Sequence, residues 1–234
     1  TPYEIVTKLL IIPGALMAVV FPAFATALVQ DRARAAYLFD RAVNYIFLAL
    51  FPFALVFVTF AREGLTLWLG SEFASNSSLV FQLLAVGVFI NSIAHVPFGL
   101  VQGAGRPDLT AKLHLIELPF YLMLLSFLLD AYGIIGAAIA WVVRATVDAL
   151  FLFVMAHRLV LVASPFTLQP VLMAGMALFV LALGAVIPVV AMKGLFLLLV
   201  IPLFMAVAWF IILSTGERSV MLGYLKAISN LRLA

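Results

Sequence analysis

Arg144 and Asp148 lie one helical turn apart inside an apolar run that extends from Tyr132 to His157. An ionised group in hydrocarbon costs about 3 kcal/mol even on insertion scales, so such groups require a partner, a cavity or a function. Five further polar side chains interrupt neighbouring apolar runs. Asn91 and His95 are again one turn apart, continued by Gln102 on about the same face, and His114 is followed by Glu117. Two kinds of chemistry are open to this set: ion pairs that hold helices together, or the lining of a path for an ion or a charged substrate. Interhelical polar contacts in membranes average only about 0.6 kcal/mol, a weak reason to keep Glu117, Arg144 and Asp148 together. The functional reading is therefore preferred for these three. His95 is evenly balanced, because a histidine beside Pro97 can equally serve helix packing.

The elements that position these groups must be membrane helices. Of the 234 residues, 67% are hydrophobic and 10% charged, and the mean hydropathy is +1.28. No soluble domain of this length could bury so much apolar surface. The runs are long and continuous, which favours helices over the short alternating segments of a barrel. A net charge of +3 gives no basis for nucleic-acid binding, and the absence of Cys excludes disulfides, thiolate metal sites and thiol redox chemistry.

Apolar runs and breakers predict seven spans, at about 9–29, 43–61, 79–101, 113–129, 133–156, 170–190 and 195–213. Arg32, Arg34, Arg41, Arg106, Lys112, Arg158, Arg218, Lys226 and Arg232 fall on one side, against Lys8, Arg62 and Lys193 on the other. The positive-inside rule then makes the C-terminus cytoplasmic and puts Thr1 outside. Residues 1–8 show no signal-peptide pattern and the chain does not begin with Met, so at least one upstream span is expected. The expected division is a five-span bundle over 1–165, a peripheral two-span hairpin over 166–217, and a cytoplasmic amphipathic tail over 218–234. In that tail Met221, Leu225, Ile228 and Leu231 line one helical face, opposite Arg218, Lys226 and Asn230. An outer loop with Leu65, Leu67, Trp68, Leu69 and Phe73 suits the headgroup region.

Counting from a tight turn at Ala131, Glu117 is fourteen residues back and Arg144 thirteen forward. At 1.5 Å per residue both lie roughly 20 Å from the outer end, on adjacent antiparallel helices. Glu117 and Arg144 are thus matched in level, in the cytoplasmic half of the bilayer. Gly133, Gly136, Ala137 and Ala140 form a small-residue face for close helix approach. Gly105-Arg106-Pro107-Asp108 reads as a turn with Asp108 capping the fourth span. Seven prolines inside spans, Pro13, Pro22, Pro52, Pro97, Pro119, Pro188 and Pro202, bend their helices. No catalytic constellation, P-loop or metal-ligand spacing is evident, since His95, His114 and His157 stand without cysteine support. The protein is not expected to be an enzyme.

Several segments resemble a known family. They are 98–121 (Phe-Gly-Leu-Val-Gln-Gly-Ala-Gly-Arg-Pro-Asp-Leu-Thr-Ala-Lys-Leu-His-Leu-Ile-Glu-Leu-Pro-Phe-Tyr), 12–22 (Ile-Pro-Gly-Ala-Leu-Met-Ala-Val-Val-Phe-Pro), 67–70 (Leu-Trp-Leu-Gly) and 132–144 (Tyr-Gly-Ile-Ile-Gly-Ala-Ala-Ile-Ala-Trp-Val-Val-Arg). Together they resemble the O-antigen polysaccharide flippases of the multidrug/oligosaccharidyl-lipid/polysaccharide exporter superfamily, from about Tyr3 to Arg158. The last two spans match in hydropathy alone.

The resemblance implies an all-α, MATE-like transporter of two lobes. This chain would be about half of it, with 1–165 the second lobe, and its missing N-terminal half would be its first partner. It implies a lipid-linked oligosaccharide moved from the inner to the outer leaflet of a bacterial inner membrane, among membrane lipids and beside polysaccharide polymerase machinery. Arg144, Asn91 and Glu117 would then bind substrate, the guanidinium gripping diphosphate oxygens as a bidentate fork. Glu117, Asp148 and His95 would carry a coupling H+ or Na+, with no other cofactor. A drug/cation antiporter of the same superfamily is the main alternative, though it has less use for a cavity Arg. A non-transporting scaffold, or a membrane glycosyltransferase or polymerase with a larger acidic outer loop, are further alternatives.

Overall fold

A computed structural model describes residues 2–160, 169–220 and 222–223. The described residues are helical and include no strand, so the chain is an all-α, multi-pass membrane protein. Helices α1 (Pro2–Thr7) and α2 (Ile11–Gln30) are joined by a single 3-10 turn at Lys8–Leu10. There follow α3 (Arg32–Thr59), α4 (Ala61–Leu69) and α5 (Ser71–Gly103). Pro107–Val160 is broken at Gly133, giving α6 (107–132) and α7 (134–160). The remaining helices are α8 (Gln169–Val186) and α9 (Val190–Val207), the latter extended by a π turn at Ala208–Ile212. Among the described residues, five stretches are long and apolar enough to cross a membrane: Lys8–Gln30, Arg32–Thr59, Ser71–Gly103, Pro107–Leu159 and Val190–Ile212. Leu172–Val186 is a shorter apolar helix. Because Pro107–Leu159 folds back at Gly133, it carries two of the expected apolar runs.

Local chemistry explains the breaks. Asp31 ends α2 and starts α3, its Oδ1 accepting from the backbone N–H groups of Ala33 (2.9 Å) and Arg34 (3.1 Å). That is an ordinary N-cap, satisfying donors that the helix leaves open. The expected cap at Asp108 is spent differently. Its carboxylate takes Arg106 Nε at 3.0 Å, Arg106 Nη2 at 3.3 Å and Lys112 Nζ at 3.4 Å. The expected outer loop around Leu65 is helix α4, with Leu65 buried and Leu67 and Trp68 turned outward.

The α6–α7 hairpin depends on two glycines with different tasks. Gly133 has φ 59° and ψ −138°, a backbone state that side-chain-bearing residues avoid, and there the chain reverses. Gly136 lets the arms close: a Cβ there would lie 1.8 Å from the Leu128 carbonyl oxygen. Nothing flexible can yield, since the obstacle is backbone. Gly136→Ala should therefore destabilise the fold by about 2 kcal/mol, as overpacking of a closed interior does. Thermal unfolding of the purified protein in detergent checks this, with Gly14→Ala, where nothing lies within 4 Å, as the neutral control.

The chain forms two compact units, Thr1–Pro188 and Val189–Ala234. In the first, α5 is the axis, packed by α2, α3, α4, α8 and the hairpin. Phe89 of α5 meets Phe47 and Phe51 of α3, with ring centroids 5.9 and 6.1 Å away. Ala94 of α5 joins Leu113, Ala149 and Leu152 in a buried cluster, flanked by Ile90, Phe98 and Met155. Trp141 of α7 lies where a Gly87 side chain would project, so α5 and α7 pack closely there. Gln82 ties α5 to two neighbours, donating to the carbonyls of Val58 (2.9 Å) and Ala185 (3.4 Å). On the far side of α6, Leu115, Ile116, Phe120, Met123 and Phe127 are exposed, a surface suited to lipid.

In the second unit, Arg218 folds back on the helix end, its Nη2 donating to the carbonyls of Phe210 and Leu213, each at 2.9 Å. Ser214 and Glu217 form a capping box that starts another helical segment at 215. Met221, Leu225, Lys226, Ile228, Asn230, Leu231 and Arg232 of the expected amphipathic tail lie outside the described residues.

Candidate functional site

The hairpin brings four of the intramembrane polar groups together. α6 offers His114, Glu117 and Tyr121 at spacings of three and four residues, hence on one face. α7 runs antiparallel and offers Arg144 and Asp148 to that face. Glu117 Oε2 lies 3.9 Å from Arg144 Nε, so the pair expected from matched depth is formed, at ion-pair rather than hydrogen-bond distance. His114 Nε2 lies 3.2 Å from Asp148 Oδ1. The Arg144 guanidinium also sits over the Tyr121 ring, 5.6 Å from its centroid, a cation–π contact. Phe98 of α5 stacks near-parallel on the His114 ring at 6.1 Å between centroids.

Burial within the set is uneven, and that shapes its chemistry. Glu117 is 7% exposed and Asp148 8%. Arg144 keeps 35% of its side chain open and His114 40%. Two carboxylates thus form a floor, covered by a guanidinium and an imidazole that remain accessible. Both oxygens of Glu117 lack a hydrogen-bond partner. With the imidazole neutral, the four groups carry one net negative charge; with it protonated they are neutral. Such a cluster can exchange a proton, accept a cation, or present Arg144 to an anion.

Asn91 and His95 do not enter the cluster. His95 Nδ1 is 2.8 Å from its own helix's Asn91 carbonyl. The face that α5 turns to the hairpin is instead Ile90, Ala94 and Phe98, one residue away around the helix. His114 and Tyr121, conversely, acquire partners that span-level reading did not assign. The count about Ala131 contains the first of these: His114 lies seventeen residues before it and Asp148 seventeen after. The α-helical spacing of Glu117 and Tyr121 contains the second.

No family model matches the chain, and no solved structure matches it significantly. Among curated proteins, the "Putative O-antigen transporter" of Shigella flexneri is 34% identical over 151 residues, covering 64% of this chain and 36% of the relative. An uncharacterized membrane protein of Methanocaldococcus jannaschii is 25% identical over 103 residues, covering 44% of this chain and 20% of that protein. The chain therefore spans about a third or less of the curated relatives it matches. The resemblance to polysaccharide flippases, first carried by the segments around Arg106 and Arg144, is thus supported by a curated relative that bears the name of an O-antigen transporter.

Proposed function

We propose that this chain is the second-lobe part of a flippase that moves a polyprenyl-diphosphate-linked oligosaccharide from the inner to the outer leaflet of a bacterial inner membrane. The observation that carries this reading is Arg144, a partly open guanidinium over a buried carboxylate inside an apolar hairpin. A diphosphate cannot cross hydrocarbon unaided, and a guanidinium matches its oxygens bidentately. Glu117 holds the guanidinium when no anion is present, and Tyr121 keeps its plane aligned. Asp148 and His114 supply the ionisable pair through which an ion gradient drives alternating access. Asn91 and His95, on the adjacent α5 face, line the same path. The test is the appearance of labelled polyprenyl-diphosphate glycan at the outer leaflet of vesicles containing the intact transporter. Cation efflux with no glycan translocation would favour the antiporter alternative.

The same proposal assigns seven spans, with Thr1 outside and Ala234 inside, from the nine-to-three split of Lys and Arg. Single Cys residues at positions 75 and 229 are the probe, because the chain has no Cys of its own. An impermeant maleimide added outside should label Ser75→Cys and spare Ser229→Cys. The reverse pattern would overturn the orientation.

A further inference from the structure

We propose that His114, Glu117 and Asp148 form a binding site for a divalent first-row transition cation, with Zn2+ as its representative. One ligand atom from each residue lies within 4.8 Å of the other two. Helix bundles hold metals on a Glu and a His three residues apart on one helix; here the same spacing occurs in the reverse order, His114 before Glu117, and the facing helix adds the Asp148 carboxylate. Spacing along the chain conceals it, because the third donor is contributed only once the hairpin closes at Gly133.

A second observation points to an occupant. The Glu117 carboxylate is 93% buried by area, yet neither oxygen has a hydrogen-bond partner. A buried carboxylate with unfilled lone pairs is costly, and a cation between it and Asp148 would satisfy both. The imidazole decides the class. One neutral nitrogen with two carboxylate oxygens suits Zn2+ or Co2+, whereas Na+, Mg2+ and Ca2+ prefer all-oxygen cages. Tetrahedral zinc with bonds of about 2.0–2.2 Å holds its ligands roughly 3.4 Å apart, so donors that now lie within 4.8 Å of one another would draw together by up to about 1.4 Å through side-chain rotation. His114 is the exposed member of the set, which leaves an entry route. Arg144, 3.9 Å from Glu117, is a cation already beside the site and opposes the metal. Metal and guanidinium would therefore compete for Glu117, and a metal seated there would release Arg144 toward an anion.

This inference deepens the ion-site reading of the hairpin, and its readout is metal binding in the absence of any glycan lipid. Full-length protein purified in detergent is titrated with Co2+, followed by its visible d–d absorption, and with Zn2+ in competition. One saturable equivalent is expected. His114→Ala, Asp148→Asn and Glu117→Gln should each weaken binding at least tenfold, while His157→Ala leaves it unchanged. Arg144→Ala should tighten binding about tenfold by removing the competing charge, an effect that a misfolded variant could not produce. Retention of full affinity in His114→Ala, or stabilisation by Na+ with no Co2+ spectrum, would overturn the assignment. Loss of transport with metal binding intact would instead count against the flippase reading alone.

Discussion

On the proposed function, Arg144→Ala in the intact transporter is expected to cut translocation of diphosphate-linked glycan severely while the protein still inserts and folds. The expected loss is on the order of 100-fold, since removing one member of a desolvated charge-assisted contact costs roughly 2–5 kcal/mol. Arg144→Lys keeps the charge but not the planar fork, so an intermediate loss of about tenfold is expected. One confounding effect must be separated: truncating Arg144 also strips Glu117 of the cation 3.9 Å away. The double variant Glu117→Gln/Arg144→Ala removes that orphaned carboxylate. If the guanidinium grips phosphate, the double variant is as inactive as the single one. Recovery of transport in the double variant would reduce Arg144 to a counter-ion. The measurement is outer-leaflet glycan in proteoliposomes, alongside detergent gel filtration to confirm folding.

The second large effect comes from exchanging the pair, Glu117→Arg with Arg144→Glu. The two positions face each other across one hairpin, so opposite charges still meet and the exchanged protein should unfold within a few degrees of the parent. Each single exchange places like charges together in a low-dielectric setting and should be strongly destabilised, by about 3 kcal/mol or more. Transport separates pairing from binding. The exchanged protein should remain inactive, because the guanidinium now projects from α6, beneath where it was open, and a carboxylate occupies the accessible position. Restored transport would mean that the pair serves only to join the two helices.

Much of this site was legible before the fold, and the reason is geometric. A tight turn makes the levels of two antiparallel helices a matter of counting, and the count about Ala131 paired Glu117 with Arg144. The count set the turn at Ala131, two residues before the reversal at Gly133, and the small-residue face that includes Gly136 announced the close approach made to Leu128. Rotation of a helix about its own axis was far less legible. α5 is apolar on nearly every side, so its pattern cannot say whether Asn91 and His95 or Ile90, Ala94 and Phe98 meet the hairpin. Asp148 shows the same limit. It was grouped with Glu117 and Arg144, yet the side chain it meets is His114 across the gap. Asp108 illustrates a third limit, the competition between partners: two nearby cations claimed the carboxylate that local rules assign to a helix start.

The Gly133 reversal also bears on how the charges reach the membrane at all. His114, Glu117, Arg144 and Asp148 sit on the two arms of a single hairpin, joined through one residue of turn. Inserted as a separate segment, α6 would carry Glu117 into hydrocarbon without Arg144, the cation 3.9 Å from it in the fold. When the arms enter together as a helical pair, Glu117 meets Arg144 and Asp148 meets His114 before lipid surrounds them, at the small closure entropy of a short loop. The hairpin, rather than either helix alone, is then the unit whose charges are suited to hydrocarbon.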